Sequence, residues 1–201
     1  PLYSSAASDV YKRQKQVWLY EWEYYEGDIV PDPFIMGNRI YIANEYTAPS
    51  TKRSVLLKIG EEKPSVLWNS PNLHSDISSP VIFQGYIYNC YDGPFSDSKD
   101  AFLQCAELET GRIIWEGHPG RIRKKDPVSL TVVDGKLIIL TEQGILSIVE
   151  ANPDAYKEIS SCDVFGDAKK PRKFLTPPVL CNGRIYCRNY SGDLICIDVS
   201  R

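Results

Sequence analysis

The sequence predicts an all-β protein made of about four similar units, each a small sheet of four antiparallel strands. Two observations lead to this prediction. Two-residue turn signals recur about every 48 residues, and the short segments beside them alternate apolar and polar residues. We find no long segment with the 3.6-residue apolar rhythm of an amphipathic helix. The 13 Tyr and 4 Trp agree with this fold class, because aromatic side chains favour strands.

The first half of each unit is predicted to be a tight hairpin. Each turn signal follows a proline with apolar residues and precedes an alternating strand, as Pro80-Val-Ile-Phe and Tyr86-Ile-Tyr show in the second unit. Residue pairs of this kind accept the positive φ that a two-residue hairpin turn requires. The four turn signals are Gly37-Asn38, Gln84-Gly85, Asp134-Gly135 and Asn182-Gly183.

The second half of each unit is predicted to be another hairpin, which an aromatic residue closes. The clearest copy runs from Leu103 to Trp115, and Gly111 permits its tight Glu-Thr-Gly turn. Four short strands repeated about every 48 residues are typical of the blades of a β-propeller. We expect the closing aromatic side chains to lie flat against the neighbouring blade as structural docking residues, and these are Trp22, Trp68, Trp115 and Phe165.

The frame from Leu103 to Trp115, with Ser79-Pro80-Val81 before it, resembles the tryptophan-docking repeat of the PQQ-like (quinoprotein-type) propeller family. The resemblance extends over about residues 17–200, and the third unit matches least well. It implies a structural role for Trp68 and Trp115. The family contains enzymes that hold PQQ and calcium in the central channel, and noncatalytic members of the outer-membrane-protein assembly lipoprotein type. Because such noncatalytic relatives are usually exported, the resemblance implies a periplasmic or otherwise extracytoplasmic location.

We expect one propeller segment at 15–201, after a leader at 1–14 that resembles translated adapter sequence and lies outside the domain. A ring of seven or eight such blades needs more residues than this chain has, so we interpret the chain as a fragment, a partial ring of about four blades. The alternative is a closed ring of four blades, in which the leading strand completes the last blade. The predicted blades are about 30–70, 77–117, 126–166 and 175–200, with a leading outer strand at 16–23.

No residue pattern indicates catalysis or a bound cofactor. His74 and His118 have no cysteine or carboxylate at ligand spacing and are interpreted as loop residues. The acidic loop from Asp92 to Asp100 could supply oxygen ligands to calcium, but a solvated turn is the favoured interpretation. Cys187 and Cys196 are predicted to face each other across the last hairpin. They could form a disulfide, but the favoured interpretation is that they are free thiols. We therefore expect no catalytic residue, metal or cofactor in this chain.

The loops between second and third strands share one side of the ring with the connections between blades, and we call this side the loop face. Two basic runs from successive blades fall on it, and a net charge of -3 gives no general attraction to nucleic acid. Solvated loops are the simple interpretation of these runs. We treat them also as candidate binding residues: Arg121, Arg123, Lys124, Lys125, Lys169, Lys170, Arg172 and Lys173.

These observations favour a noncatalytic β-propeller scaffold that binds a protein partner through its loop face. One alternative is a fragment of a PQQ-dependent alcohol or sugar dehydrogenase, and another is binding of a polyanion or polysaccharide through the basic runs. No apolar run is long enough to cross a membrane as a helix. The end blades are expected to expose apolar flanks, which predicts self-association.

Overall fold

The computed structural model describes residues 16–21, 31–44, 53–73, 75, 78–92, 101–117, 128–166, 168, 170 and 172–200. Within these ranges the regular structure consists of β-strands in four antiparallel sheets, without a helix. The all-β prediction is therefore confirmed.

Neighbouring strands in each sheet are also neighbours in the chain, so every sheet is a simple meander. Sheet 1 contains β1 (Phe34–Met36), β2 (Arg39–Ala43), β3 (Ser54–Lys58) and β4 (Ser65–Ser70). Sheet 2 contains β5 (Val81–Phe83), β6 (Tyr86–Asp92), β7 (Ala101–Glu107) and β8 (Ile113–Gly117). Sheet 3 contains β9 (Val128–Val133), β10 (Lys136–Thr141), β11 (Ile145–Glu150) and β12 (Glu158–Asp163). Sheet 4 has three strands, β13 (Val179–Cys181), β14 (Arg184–Arg188) and β15 (Leu194–Asp198).

The turn signals close the first hairpin of every sheet. In sheets 2, 3 and 4 both turn residues have positive φ, for example 47° at Gln84 and 83° at Gly85. In sheet 1 Gly37 alone of the pair has this conformation, with a φ of 56°. The local sequence favours these turns, because every turn residue except Gln84 is a glycine, asparagine or aspartate, and these residues tolerate the left-handed region better than others do.

A β-bulge recurs at the same place in sheets 1, 2 and 3. The register between the third and fourth strands shifts directly after Leu56, Cys105 and Ile148. In sheet 1, Leu56 lies opposite Trp68 and Leu57 lies opposite Val66, so Leu67 is the extra residue. A bulge bends its strand and increases the local twist. The bulge therefore changes the direction of the fourth strand in each of these sheets. The change comes next to the residue that pairs with Leu56 in sheet 1, Cys105 in sheet 2 or Ile148 in sheet 3.

The hydrophobic core lies between successive sheets, because side chains alternate between the two faces of each strand. One face of β2 and β3 packs against sheet 2, and the other face is turned away from sheet 2. Ile40 and Tyr41 show this alternation, since they belong to different clusters. The three clusters between sheets include Tyr41, Leu56, Ile87 and Ala106 (sheets 1 and 2), Tyr88, Leu103, Leu137 and Val149 (sheets 2 and 3), and Ile138, Leu140, Ile185 and Cys187 (sheets 3 and 4).

The leading segment differs from the prediction of an outer strand at 16–23. Its described part, 16–21, is not hydrogen-bonded into a sheet. Its side chains nevertheless alternate: Trp18 and Tyr20 pack against Ile40 and its neighbours in sheet 1, whereas Val17 and Leu19 are 74% and 68% exposed. The segment thus has the side-chain alternation of a strand, although within the described residues it is assigned to none of the four sheets.

Candidate interaction surface

Trp68 joins sheet 1 to sheet 2. Its indole Nε1 donates a hydrogen bond to the carbonyl oxygen of Leu108, in the β7–β8 turn, at 2.8 Å. Its ring lies against Gly111, where a Cβ atom would come within 2.7 Å of the ring carbon Cε3. Gly111 also has a φ of 68°, so the turn needs glycine both for its conformation and for the space that the ring occupies. The Tyr41 ring also contacts the Trp68 ring, with 5.9 Å between the two centroids.

Trp115 makes the corresponding contact between sheets 2 and 3. Its Nε1 donates to the carbonyl oxygen of Asn152, in the connection from β11 to β12, at 2.9 Å. The ring of Tyr88, which is in the same sheet as Trp115, has its centroid 6.1 Å from that of the indole. The ring of Tyr156, on the side of sheet 3, meets the indole edge-on, with 6.0 Å between centroids and 71° between ring planes. The indole therefore contributes apolar area, ring contacts and one hydrogen bond to the interface.

The third interface uses different chemistry. Ser160 lies opposite Ile148 beside the bulge, so serine holds the position that Trp68 and Trp115 hold in the first two sheets. Phe165 lies beyond the end of β12, where its ring is 5.4 Å from that of Phe174. Both phenylalanines belong to the cluster between sheets 3 and 4. Phe165 is thus part of this interface, but it is not the counterpart of the two tryptophans, which corrects the sequence alignment.

The connection between sheets 3 and 4 is fixed by bonds from Arg172. Its Nη1 atom lies 2.8 Å from Asp163 Oδ2 and donates to the carbonyl oxygen of Gln143 at 2.7 Å. Its guanidinium carbon is 5.8 Å from the centroid of the Phe165 ring. Arg172, a predicted binding residue, therefore holds together the loops of its own region.

Lys170 and Lys173 lie in the same connection with different partners. The Lys170 ammonium is 3.5 Å from Asp193 Oδ1. The Lys173 ammonium is 5.5 Å from the centroid of the Tyr190 ring, and the Tyr190 backbone amide donates to the Lys173 carbonyl at 2.8 Å. Lys173, Leu175 and Tyr190 are exposed, and we call these three residues the lysine–tyrosine patch.

The remaining predicted site residues lie outside the described residues. These are Trp22, Arg121, Arg123, Lys124, Lys125 and Lys169, and the same is true of His74, His118 and the acidic loop at 93–100. Within the part of the chain that the structure describes, no three histidine, cysteine or acidic side chains lie close enough to hold a metal ion. The described residues also include no helix long and apolar enough to span a membrane.

The cysteines correct the predicted pairing across the last hairpin. Cys187 lies opposite Ile195, and Cys196 lies opposite Tyr186, so the two thiols are on opposite faces of sheet 4. Neighbouring positions on a strand point to opposite faces, and the prediction was wrong by one residue of register. All six cysteines are free thiols.

We expect the thiols to divide by burial when the native protein is treated with a thiol reagent at pH 8. Cys90, Cys105 and Cys187 are buried, and burial raises the pKa of Cys187 to about 11 and that of Cys105 to about 12. These three should therefore react only after unfolding in urea, whereas the exposed Cys162 should react in the native state. Peptide mapping by mass spectrometry would show this, and native labelling of Cys187 would contradict the packing between sheets 3 and 4.

The fold resembles that of known structures. BamB from Moraxella catarrhalis, a β-propeller, superposes with a TM-score of 0.58 at 15% identity, over 84% of this chain and 43% of that one. Four meander sheets stacked face to face match this architecture. The fold is a β-propeller. The propeller spans less than half of the length of BamB.

A second solved structure has a similar fold and is matched over its whole length. The computationally designed Ika4 protein superposes with a TM-score of 0.54 at 7% identity, over 90% of this chain and all of that one. Neither known protein families nor curated proteins give a match at the level of sequence.

Proposed function

We propose that this propeller is a noncatalytic scaffold of the PQQ-like type that binds a protein partner through the lysine–tyrosine patch on its loop face. The similarity in fold to BamB supports the scaffold part of the proposal, and the repeat frame from Leu103 to Trp115 supports the family. An extracytoplasmic location belongs to the same proposal. The observation that carries the binding site is the exposure of Tyr190, which is 80%.

Tyr190 is exposed on a rigid support. The hairpin that carries it is closed by Asn189, whose Nδ2 donates to Asp193 Oδ2 at 3.0 Å and whose Oδ1 accepts from the Asp193 amide at 2.8 Å. The bond from the Tyr190 amide to Lys173 fixes the hairpin to the neighbouring connection. A large ring held in place before binding loses little conformational entropy, and tyrosine is among the residues that dominate binding energies at interfaces.

The charges of this region favour a partner that is both acidic and apolar. Lys170 and Arg172 each lie within 4.0 Å of a carboxylate, so their positive charge is partly neutralised. Lys173 instead lies over the Tyr190 ring, and the exposed Leu175 follows it by two residues in the chain. This combination of one cation, an aromatic ring and an aliphatic side chain suits a peptide segment better than a uniformly charged polymer.

Selection from a phage-displayed random peptide library tests the proposal. Peptides selected on the wild-type chain should combine acidic and apolar residues. Their affinity, measured by fluorescence anisotropy, should fall at least tenfold with Tyr190→Ala and with Lys173→Glu. Tyr190 contributes little to folding because it is exposed, so both variants should keep the wild-type circular dichroism spectrum.

A matched control is available on the opposite side of the ring. Lys58 is exposed at the end of β3, next to the β3–β4 turn, so Lys58→Glu changes charge as Lys173→Glu does but away from the loop face. Affinity should be unchanged in this control. Selected peptides that bind the wild type and Tyr190→Ala equally well would overturn the proposed site.

A further inference from the structure

The turn at Asn182-Gly183 closes the first hairpin of sheet 4 and differs chemically from the other three turns of its kind. The corresponding pairs are Gly37-Asn38, Gln84-Gly85 and Asp134-Gly135, and the dipeptide Asn-Gly occurs once in the whole sequence. The side-chain amide of an asparagine can react with the backbone nitrogen of the residue that follows it. Glycine favours this reaction, because it has no side chain that hinders the approach to its nitrogen.

Both reacting groups lie outside the sheet. Cys181 and Arg184 form the last pair of the β13–β14 ladder, so Asn182 and Gly183 project beyond it. The two turn residues have φ values of 50° and 68°, as a tight two-residue turn requires. Asn182 is exposed to solvent. Water therefore has access to the amide side chain beside the Gly183 nitrogen.

The exposure of Asn182 follows from the type of turn and not from its place in the chain. Gln84 and Asp134 hold the same position in the turns of sheets 2 and 3, and both are exposed as well. Each of these sheets packs against a neighbour on both sides, so the flanking sheets do not decide whether this turn position is covered.

Other asparagines of the described residues lack this combination of features. Asn89 is completely buried and Asn189 is 4% exposed. Asn152 precedes a proline, which has no backbone N–H to react. Asn69 is exposed but lies within β4 and precedes Ser70, so its backbone is held in a strand.

We propose that Asn182 is a site of spontaneous covalent modification, at which the side-chain amide becomes a carboxylate through a cyclic imide. The Gly183 nitrogen loses its proton and forms a bond to Cγ of Asn182, and the side-chain nitrogen leaves as ammonia. Water then opens the five-membered ring. Attack at Cγ gives aspartate, whereas attack at the main-chain carbonyl carbon gives isoaspartate. Water is the co-reactant, and nothing is oxidised or reduced.

The two products should affect the hairpin differently. Aspartate fits this turn, because Asp134 has a φ of 47° in the corresponding turn of sheet 3. Isoaspartate lengthens the main chain of the turn by one carbon atom, and the pairing of Cys181 with Arg184 depends on that length. Isoaspartate should therefore loosen β14 and the packing of Cys187, which is 1% exposed between sheets 3 and 4.

Incubation of the native 201-residue chain at neutral and alkaline pH tests this proposal. Peptide mapping by mass spectrometry locates deamidation, and methylation by an isoaspartate methyltransferase detects isoaspartate. We expect both products at position 182, formed at least tenfold faster than any deamidation at Asn69. The rate should rise with pH, because the attacking nitrogen must lose its proton.

The repeats supply two matched control variants. Asn182→Gln introduces the residue that sheet 2 has at Gln84, so the turn should form, but the reaction would need a six-membered ring, which closes much more slowly. This variant should remain unmodified. Asn182→Asp supplies the first product directly. Native alkylation of Cys187 should be as slow in Asn182→Asp as in fresh wild type, and at least tenfold faster in the isoaspartate fraction separated by chromatography.

The possible results separate the reaction from its structural effect. Faster deamidation at Asn69 than at Asn182, a product without isoaspartate, or equal modification of Asn182→Gln would overturn the proposed reaction. Equal alkylation of Cys187 in the isoaspartate fraction and in fresh wild type would overturn the expected loosening of β14. The turn lies at the opposite end of β14 from Tyr190, so these outcomes do not depend on the proposed binding site.

Discussion

Replacing Trp115 with alanine should lower the free energy of unfolding by about 3–5 kcal/mol, as expected for a large aromatic side chain packed at an interface. The substitution removes the edge-on contact with Tyr156, the contact with Tyr88 and the hydrogen bond to Asn152. The cavity would lie between sheets 2 and 3, where neighbouring side chains in two sheets would have to shift together to fill it. Urea unfolding followed by circular dichroism measures the effect.

Trp115→Phe is the matched control for this experiment. Phenylalanine keeps an aromatic ring in the interface but cannot donate to the Asn152 carbonyl, so the loss should be smaller, about 1–2 kcal/mol. A loss below about 1 kcal/mol for Trp115→Ala would contradict the interface role of the indole, because surface substitutions usually have effects of this size.

Replacing Gly111 with alanine should destabilise the protein by about 2–4 kcal/mol, from backbone strain together with overpacking. A φ of 68° is unfavourable for alanine, and the added Cβ would come within 2.7 Å of two carbons of the Trp68 ring. The ring cannot move away without disturbing its hydrogen bond to Leu108. Urea unfolding of the variant measures the loss.

Gly37→Ala separates the cost of backbone strain from the cost of overpacking. Gly37 has a φ of 56°, and nothing lies within 4 Å of the position that its Cβ would take. This substitution should therefore cost only the backbone strain, about 1–2 kcal/mol. Equal losses at Gly37 and Gly111 would show that the Trp68 ring does not restrict position 111.

The sequence was sufficient to predict the repeat and its hairpins, because turn residues and apolar alternation act over a few neighbouring positions. The glycine and asparagine signals carry the positive φ that the turns need, and the tryptophans mark the outer strands of sheets 1 and 2. The bulge beside Trp68 could not be predicted, since an inserted residue has no signature apart from the pairing that it interrupts.

The two wrong sequence predictions, for Phe165 and for the cysteine pair, also come from details of strand pairing. In sheet 3 the residue opposite Ile148 is Ser160, and alignment on the nearest aromatic residue led to Phe165 instead. Cys187 and Cys196 were expected to face each other, but the loop between their strands places Cys187 opposite Ile195. A shift of one residue reverses which face a side chain lies on, so small errors of register change the assignment completely.

The candidate surface was only partly predictable, because charge alone does not reveal which cations are already paired. The basic run pointed to the connection between sheets 3 and 4, but it gave no sign that Arg172 bonds to Asp163 and Gln143. Tyr190 was not singled out by the sequence, since its turn resembles other turns and only its exposure distinguishes it. Long-range contacts of this kind follow from the tertiary arrangement.

A double-mutant cycle between Trp68→Ala and Gly111→Ala tests the central claim, that the sheets are joined by aromatic side chains packed against the turn of the next sheet. Removing the Trp68 ring frees the space that the new Cβ would enter. Gly111→Ala should therefore cost at least about 1 kcal/mol less in the Trp68→Ala background than in the wild type. Free energies that add to within about 0.5 kcal/mol would show that the two residues do not touch, and would contradict the account.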